Sequence, residues 1–438
     1  MIFFGLNLSK WLNVKNMRYL PFFCLLLALP ARAQEPLRLE QAYSLAEQAH
    51  PLTAQGGLLR SASVLRQEQI DKARLPQISW NAQASLQSEV VEFPFELPIP
   101  GGAGLDLPLY RFQTTADAQY SLYDGGRVDA QQEAEAAQLA VSEAQLEVEL
   151  EQLKIQVNQY VFGILLQRER TRILESGLEQ LQGRIAQVEA GVEHGILLPG
   201  ELKRLQAEQL RLQSEVTQVK SKIDALREGL SVLLGQAVPE GVTFELPGPD
   251  AELLRADLQR PELKLFAQQE QQVMVGLSGV EADQRPTVGV FLQAGFGAPN
   301  PLNFFDSSLS PFAMGGVRFT WNFVDWGKVD RSRQLLSLQR EMIGQRQAAF
   351  TTQIEQQEVQ IRTEMAALDP LIERGQDIIQ LQEEVLQQID AQLREGTAVA
   401  ADYITQSATV RQAKLRVEQY RLQKQQLYIQ LLTLKGIL

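Results

Sequence analysis

The chain has 438 residues, enough for two or three domains, and its 21% charged and 45% hydrophobic content is that of a folded protein, not a disordered tail. A formal net charge of −12 argues against nucleic acid as a partner, because phosphate binding needs a basic surface. A single cysteine, Cys24, excludes a disulfide framework, and the two histidines, His50 and His194, are too far apart in sequence to read as a metal-ligand pair.

In chain order, the first expected feature is a signal peptide over residues 1–33. Met17-Arg18-Tyr19 opens a short basic stretch, with Met1 or Met17 as the start. The apolar run Leu20 to Leu29 is too short to span a bilayer as a helix. Ala31-Arg32-Ala33 supplies the small residues of a cleavage site. Cys24 lies inside this segment, after Pro21-Phe22-Phe23, which is not the small-residue context of lipid attachment. Removing the segment, with four basic residues and no acidic one, takes the charge from −12 to −16.

A first repeat is expected over 34–237. Leu39, Ala42, Leu45, Ala46 and Ala49 recur at helical spacing, Pro51 interrupts, and helix resumes to Ala73. The period then changes to two, giving a strand over 77–90. Ile78, Trp80, Ala82, Ala84 and Leu86 alternate with Ser79, Asn81, Gln83, Ser85 and Gln87. A loop from Glu92 to Arg111 leads to a second strand over 112–123, with Asp117 and Gln119 on its wet side and Ala116, Ala118 and Tyr120 on its apolar side. A proline-free stretch predicts one helix over 126–190, about 100 Å long. Within it Leu146, Leu150, Leu153, Val157, Tyr160 and Ile164 follow coiled-coil-like spacing. A turn over 191–200 and a helix over 201–234 complete the repeat.

After a linker over 238–250, the plan recurs over 251–438. Strands are expected over 287–297 and 315–324, separated by a Pro- and Gly-containing loop. A long helix follows over 328–394, with Pro370 as an interruption, then a turn over 395–400 and a helix over 401–434. Asp124-Gly125-Gly126-Arg127 recurs as Asp325-Trp326-Gly327-Lys328, and Gly195 as Gly396, both 201 residues later. His50-Pro51 matches Arg260-Pro261 at 210, the difference reflecting a longer loop in the first copy. A period this long means a duplicated domain, not a solenoid.

Helices of this length cannot pack around a compact core; they imply a coiled-coil rod or a wall of helices. Strands of about ten residues suit tilted transmembrane β-strands. The aromatics Trp80, Tyr120, Tyr123, Trp321 and Trp326 near strand ends fit interfacial girdles. Alternation alone fits a soluble sheet covering a core equally well. Four strands cannot close a membrane barrel, so the membrane reading requires oligomerisation; three chains would supply twelve strands.

Taken together, the paired segments Tyr123 to Arg127 and Val324 to Lys328, and the paired turns His194 to Leu202 and Glu395 to Tyr403, resemble those of the TolC-type outer-membrane efflux proteins over essentially the whole mature length. The resemblance implies an α+β membrane protein. Four transmembrane strands per chain would join a trimeric 12-stranded β-barrel, continued by a long periplasmic α-helical barrel. It implies a passive exit duct in the outer membrane of a Gram-negative bacterium, serving efflux or type I secretion. The implied partners are outer-membrane lipid, two further copies, a periplasmic adaptor (membrane fusion protein) and an inner-membrane pump.

The turns would then be tips that the adaptor meets, through Gly195, Leu197, Leu198 and Pro199 and through Gly396, Thr397 and Val399. Glu201 and Asp402, six residues after each glycine, are natural helix-start carboxylates. By resemblance they would also line the periplasmic aperture as rings of acid. The family's gate tyrosine and arginine are replaced here by Leu393 and Ala398, and Thr405 stands where a second acid is expected. Asp124, Gly125, Gly126, Asp325, Trp326 and Gly327 are the expected strand-to-helix junctions. No catalytic residue, metal site or cofactor is expected, and the chain does not read as an enzyme. The competing reading is a structural periplasmic coiled-coil protein with a non-porous β-domain. Cargo, pump and gating are not legible at this level.

Overall fold

The structure, a computed structural model, describes residues 36–90, 108–303 and 306–438. The expected signal peptide and most of the loop after the first strand lie outside these residues. In chain order the elements are β1 (Leu37–Arg38), α1 (Leu39–Ala49), α2 (Pro51–Asp71), β2 (Gln77–Leu86), β3 (Tyr110–Tyr123), α3 (Arg127–Glu193) and α4 (Pro199–Leu234). They continue as β4 (Phe244–Glu245), α5 (Ala251–Arg255), α6 (Pro261–Ala282), β5 (Thr287–Ala298), β6 (Ser310–Thr320), α7 (Lys328–Arg394) and α8 (Ala400–Lys435).

Strand ends differ from the sequence expectation wherever pairing runs out. β2 stops at Leu86, short of residue 90, because its partner begins opposite it at Tyr110. β6 runs from Ser310 to Thr320 where 315–324 was expected. Its partner β5 ends at Thr287, leaving Trp321 to Val324 nothing to pair with. Helix α7 also runs through Pro370, which the sequence suggested as an interruption. Proline removes one hydrogen bond. Here Ile361 and Leu368, buried against Leu427 and Leu431 of α8, hold the helix in place on its N-terminal side.

The main sheet is antiparallel with strand order β2-β3-β5-β6, so β2 and β6 are open edges. Its register aligns the apolar residues of all four strands. Ile78 lies opposite Ala118, Ala118 opposite Leu292, and Leu292 opposite Gly315. The next rung of that face is Trp80, Ala116, Ala294 and Ala313. The other face carries Ser79, Asp117, Gln293 and Met314 on one rung. No helix among the described residues covers the apolar face: Ile78 is 79% exposed, Trp80 78% and Val317 68%. A β-bulge between Ser121 and Tyr123 leaves Leu122 unpaired at the end of β3, just before the chain turns into α3.

Each long strand continues into a helix in the same lateral order. α2 leads into β2, β3 into α3, α6 into β5 and β6 into α7. α2 packs on α3, α3 on α6 and α6 on α7. Farther from the sheet, α3 is flanked by α4 and α8, and α8 by α7. The two 67-residue helices, about 100 Å each, are the common spine of both zones.

The core is a series of seams along the helices, not a ball. Near mid-length, Leu39, Tyr43, Val157, Val161, Ile164, Leu230, Leu234, Ile429 and Leu432 bring α1, α3, α4 and α8 together. Farther down, Leu174, Leu181 and Val188 of α3 meet Leu205, Leu212 and Val219 of α4. Both rows step by seven residues, the spacing of a coiled-coil seam. Buried Tyr403, Val410 and Val417 repeat that step on α8.

Candidate functional site

Two regions recur in both halves of the chain: the strand-to-helix junctions, which join the sheet and helical zones, and the tips at the far end. At the first junction, Asp124 accepts hydrogen bonds from the N–H groups of Gly126 (2.9 Å) and Val128 (2.8 Å). At the second, Asp325 accepts from Gly327 (3.0 Å) and Val329 (2.9 Å). Each carboxylate thus satisfies orphan donors at the start of a 67-residue helix, next to its positive dipole end. The N–H groups of Val329 and Gly327 hold the Asp325 carboxyl below the usual carboxylate range. At Asp124, burial pushes the other way, but the N–H groups of Val128 and Gly126 prevail and the direction is again downward. Gly125 and Gly126 have φ of 75° and 85°, left-handed values that glycine tolerates. In the second junction Trp326 takes the place of Gly125 at φ 53°, uncommon for a side chain of its size, and is 86% exposed.

The tips repeat each other as closely. Gly195 (φ 71°) and Gly396 (φ 75°) end their helices in the left-handed conformation. Ile196 and Leu197 then donate to the carbonyl of Gly191, and Thr397 and Ala398 to that of Gln392. Pro199 starts α4 at a position where its missing N–H costs nothing. Ile196 and Leu198 point outward at 67% and 71% exposure, and Val399 at 45%. Leu197 turns inward and lies 3.9 Å from where a side chain on Gly396 would begin, so the two tips of one chain sit side by side.

Glu201 and Asp402 take different places. Asp402 accepts from the N–H of Val399 within its own turn (3.4 Å). Glu201 reaches across and accepts from the N–H of Ala400 (2.6 Å), so the first tip caps the first residue of α8. Leu393 and Ala398, which the resemblance set at gate positions, serve packing: Leu393 is fully buried and Ala398 lies against the same seam. Thr405 donates to the carbonyl of Ala401 in its own helix.

Above the tips lies a set of residues that the sequence reading missed. The buried stripe of α3 runs Leu174, Gly177, Leu181, Arg184, Val188, a three-four alternation in which a glycine and an arginine replace hydrophobes. Arg184 pairs with Asp390 of α7, and its guanidinium stands 5.4 Å from the ring centre of Tyr403 on α8. Asp390 also pairs with Arg394 at 3.4 Å. On α8, Arg411 crosses α3 over Gly177 to reach Glu208 of α4 at 3.0 Å. Burial pushes the guanidinium groups of Arg184 and Arg411 downward, Glu208 partly opposing this at Arg411. The seams inside each hairpin are therefore largely apolar, whereas two buried ion pairs tie one hairpin to the other. The signal was present as charged residues within an apolar stripe, but their partners lie 200 residues away.

No helix among the described residues is long and apolar enough to cross a membrane. Residues 43–236 match the family model described as "Outer membrane efflux protein". That match spans most of the first repeat. Solved structures carry the likeness over both repeats, covering 90–91% of the chain. The outer membrane protein VceC from Vibrio cholerae aligns with a TM-score of 0.60 at 15% identity, covering 90% of this chain and 94% of that one. The MtrE outer membrane channel of Neisseria gonorrhoeae gives 0.60 at 16%, with 91% and 89% covered. The CmeC outer membrane channel of Campylobacter jejuni gives 0.59 at 14%, with 91% and 85% covered. At these identities the structures establish a shared fold. No curated protein matches significantly in sequence. The fold shared with these outer-membrane proteins accounts for both zones.

Proposed function

We propose that the chain is one third of an outer-membrane exit duct. Three copies would join β6 of one chain to β2 of the next, closing twelve strands into a barrel, while the helices continue as a hollow periplasmic cylinder. The observation that carries this reading is the sheet itself: four strands with two edges unpaired among the described residues and an apolar face that none of those residues covers. Water-exposed apolar area of this size is costly, and open edges are untenable in lipid. Closure by further copies removes both problems. Exposed Leu335, Leu338 and Met342 on α7, and Leu58, Val64 and Leu65 on α2, give the outer helices matching apolar surface at the same two flanks.

In this reading Trp80, Tyr120, Tyr123, Trp321 and Trp326 are the interfacial aromatics. The tips, with Ile196, Leu198 and Val399 exposed, are where a periplasmic adaptor coupled to an inner-membrane pump would dock. Glu201 and Asp402 would lie at the aperture, with Glu201 also clasping the second tip. The duct would be passive, its energy coming from the pump of an efflux or type I secretion assembly. Purified protein added to planar bilayers is expected to give discrete conductance steps. Detergent-free solubility with no conductance would favour the non-porous coiled-coil reading instead.

A further inference from the structure

The four strands of the main sheet carry three charged side chains, Arg111, Asp117 and Arg318, and the register places all three on the polar face. A concavity of about 250 Å³ opens over that face at the helical end of the sheet, with Gln77, Gln119, Phe291 and Arg318 among its walls. The polar face is thus the one that would line a closed barrel.

The two signs of charge are not equally available there. Asp117 is occupied by neutral donors from three strands: Asn81 at 2.8 Å, Thr115 at 2.8 Å and Gln293 at 2.6 Å. Its role is to lock the register of β2, β3 and β5. Arg318 forms no ion pair among the described residues; its guanidinium rests 5.3 Å from the ring centre of Phe291. That contact holds the cation against the wall while leaving N–H groups free to meet an oxyanion. Arg318 is level with Gly289 and Asp117 with Gln293, four residues along β5. That is about 13 Å, beyond the screening length of about 8 Å at physiological salt. Asp117 therefore does not neutralise Arg318. The nearby Asp124 and Asp325 are committed to helix starts.

We propose that Arg318 is a specificity-determining residue: three copies, braced by Phe291, form a cationic collar inside the barrel that draws anionic solutes such as carboxylates into the duct. This is unexpected in a chain whose net charge is −12. The inference rests on the channel reading above. The test uses the purified full-length protein in planar bilayers under a potassium chloride gradient. Reversal potentials are compared for the wild type, Arg318→Gln, Arg318→Glu and Arg318→Lys. Arg318→Glu is expected to move the permeability ratio about twofold or more toward cations, Arg318→Gln to move it less, and Arg318→Lys to restore it. Wild-type reversal potentials in both Arg318→Gln and Arg318→Glu would overturn the collar. Should Arg318→Glu fail to insert, Arg318→Gln alone decides. Absence of any conductance in the wild type would instead overturn the channel reading.

Discussion

The carboxylates at the start of the long helices show what one residue does for this fold. Asp124 and Asp325 each gather two backbone N–H groups at the point where a twisted strand becomes a helix. The Asp325 carboxyl lies below its ordinary value because those N–H groups favour its charged form. A group whose pKa is depressed in the folded state stabilises the fold fully above its unfolded value, about 3.9. It loses that contribution as pH falls through the lower folded value. Asp325→Asn is therefore expected to melt earlier than wild type at neutral pH, with the gap closing below about pH 4. Melting curves across that range check this; a constant gap would place the effect elsewhere. The two Asp-x-Gly motifs were legible in the sequence as junctions. The role of Glu201 was not, because its acceptor function depends on Ala400, brought beside it only by the packing of two hairpins.

At the scale of elements, regular spacing was readable and pairing was not. Alternation marked β2, β3 and β5, and the register then put their paired apolar positions, from Ile78 to Leu86, Phe112 to Tyr120 and Val288 to Phe296, on one face. The start of β6 was hidden because Pro311, Gly315 and Gly316 blur its alternation. Coiled-coil-like spacing marked the run Leu146 to Ile164 of α3, but the ion pairs between hairpins join residues about half a chain apart. Breaking one of these should be costly. Asp390→Ala leaves the buried Arg184 guanidinium without its partner, a loss of about 2–4 kcal/mol, toward the low end because Asp390 stays partly wet. The double replacement Arg184→Met with Asp390→Leu should recover most of it. A double-mutant cycle on unfolding of the detergent-solubilised protein measures the coupling; additive effects would deny the tie. The tips make a different prediction. Leu198→Asp, at an exposed apolar position, should abolish export while barrel assembly, followed by its resistance to dissociation in detergent, stays intact. Normal export would remove the adaptor-contact assignment.

For the whole molecule, the duplication is the organising fact. It supplies four strands and two helical hairpins, laid out so that each helix continues its strand in the same lateral order. This architecture was legible because helices of 67 residues exclude a compact core. What one sequence could not show is that exposed apolar side chains on α2 and α7 flank the two open strand edges, the surfaces that the proposed further copies would cover. The direct test is cysteine crosslinking across those flanks. With Cys24, the chain's only cysteine, replaced by serine, one cysteine is placed along β2 and one along β6, and pairs are scanned for oxidation in intact membranes. Matching pairs are expected to give a ladder of one, two and three linked chains that ends at three. A ladder running on past three, or no crosslink at any pairing of the two edges, would contradict the closed three-chain barrel.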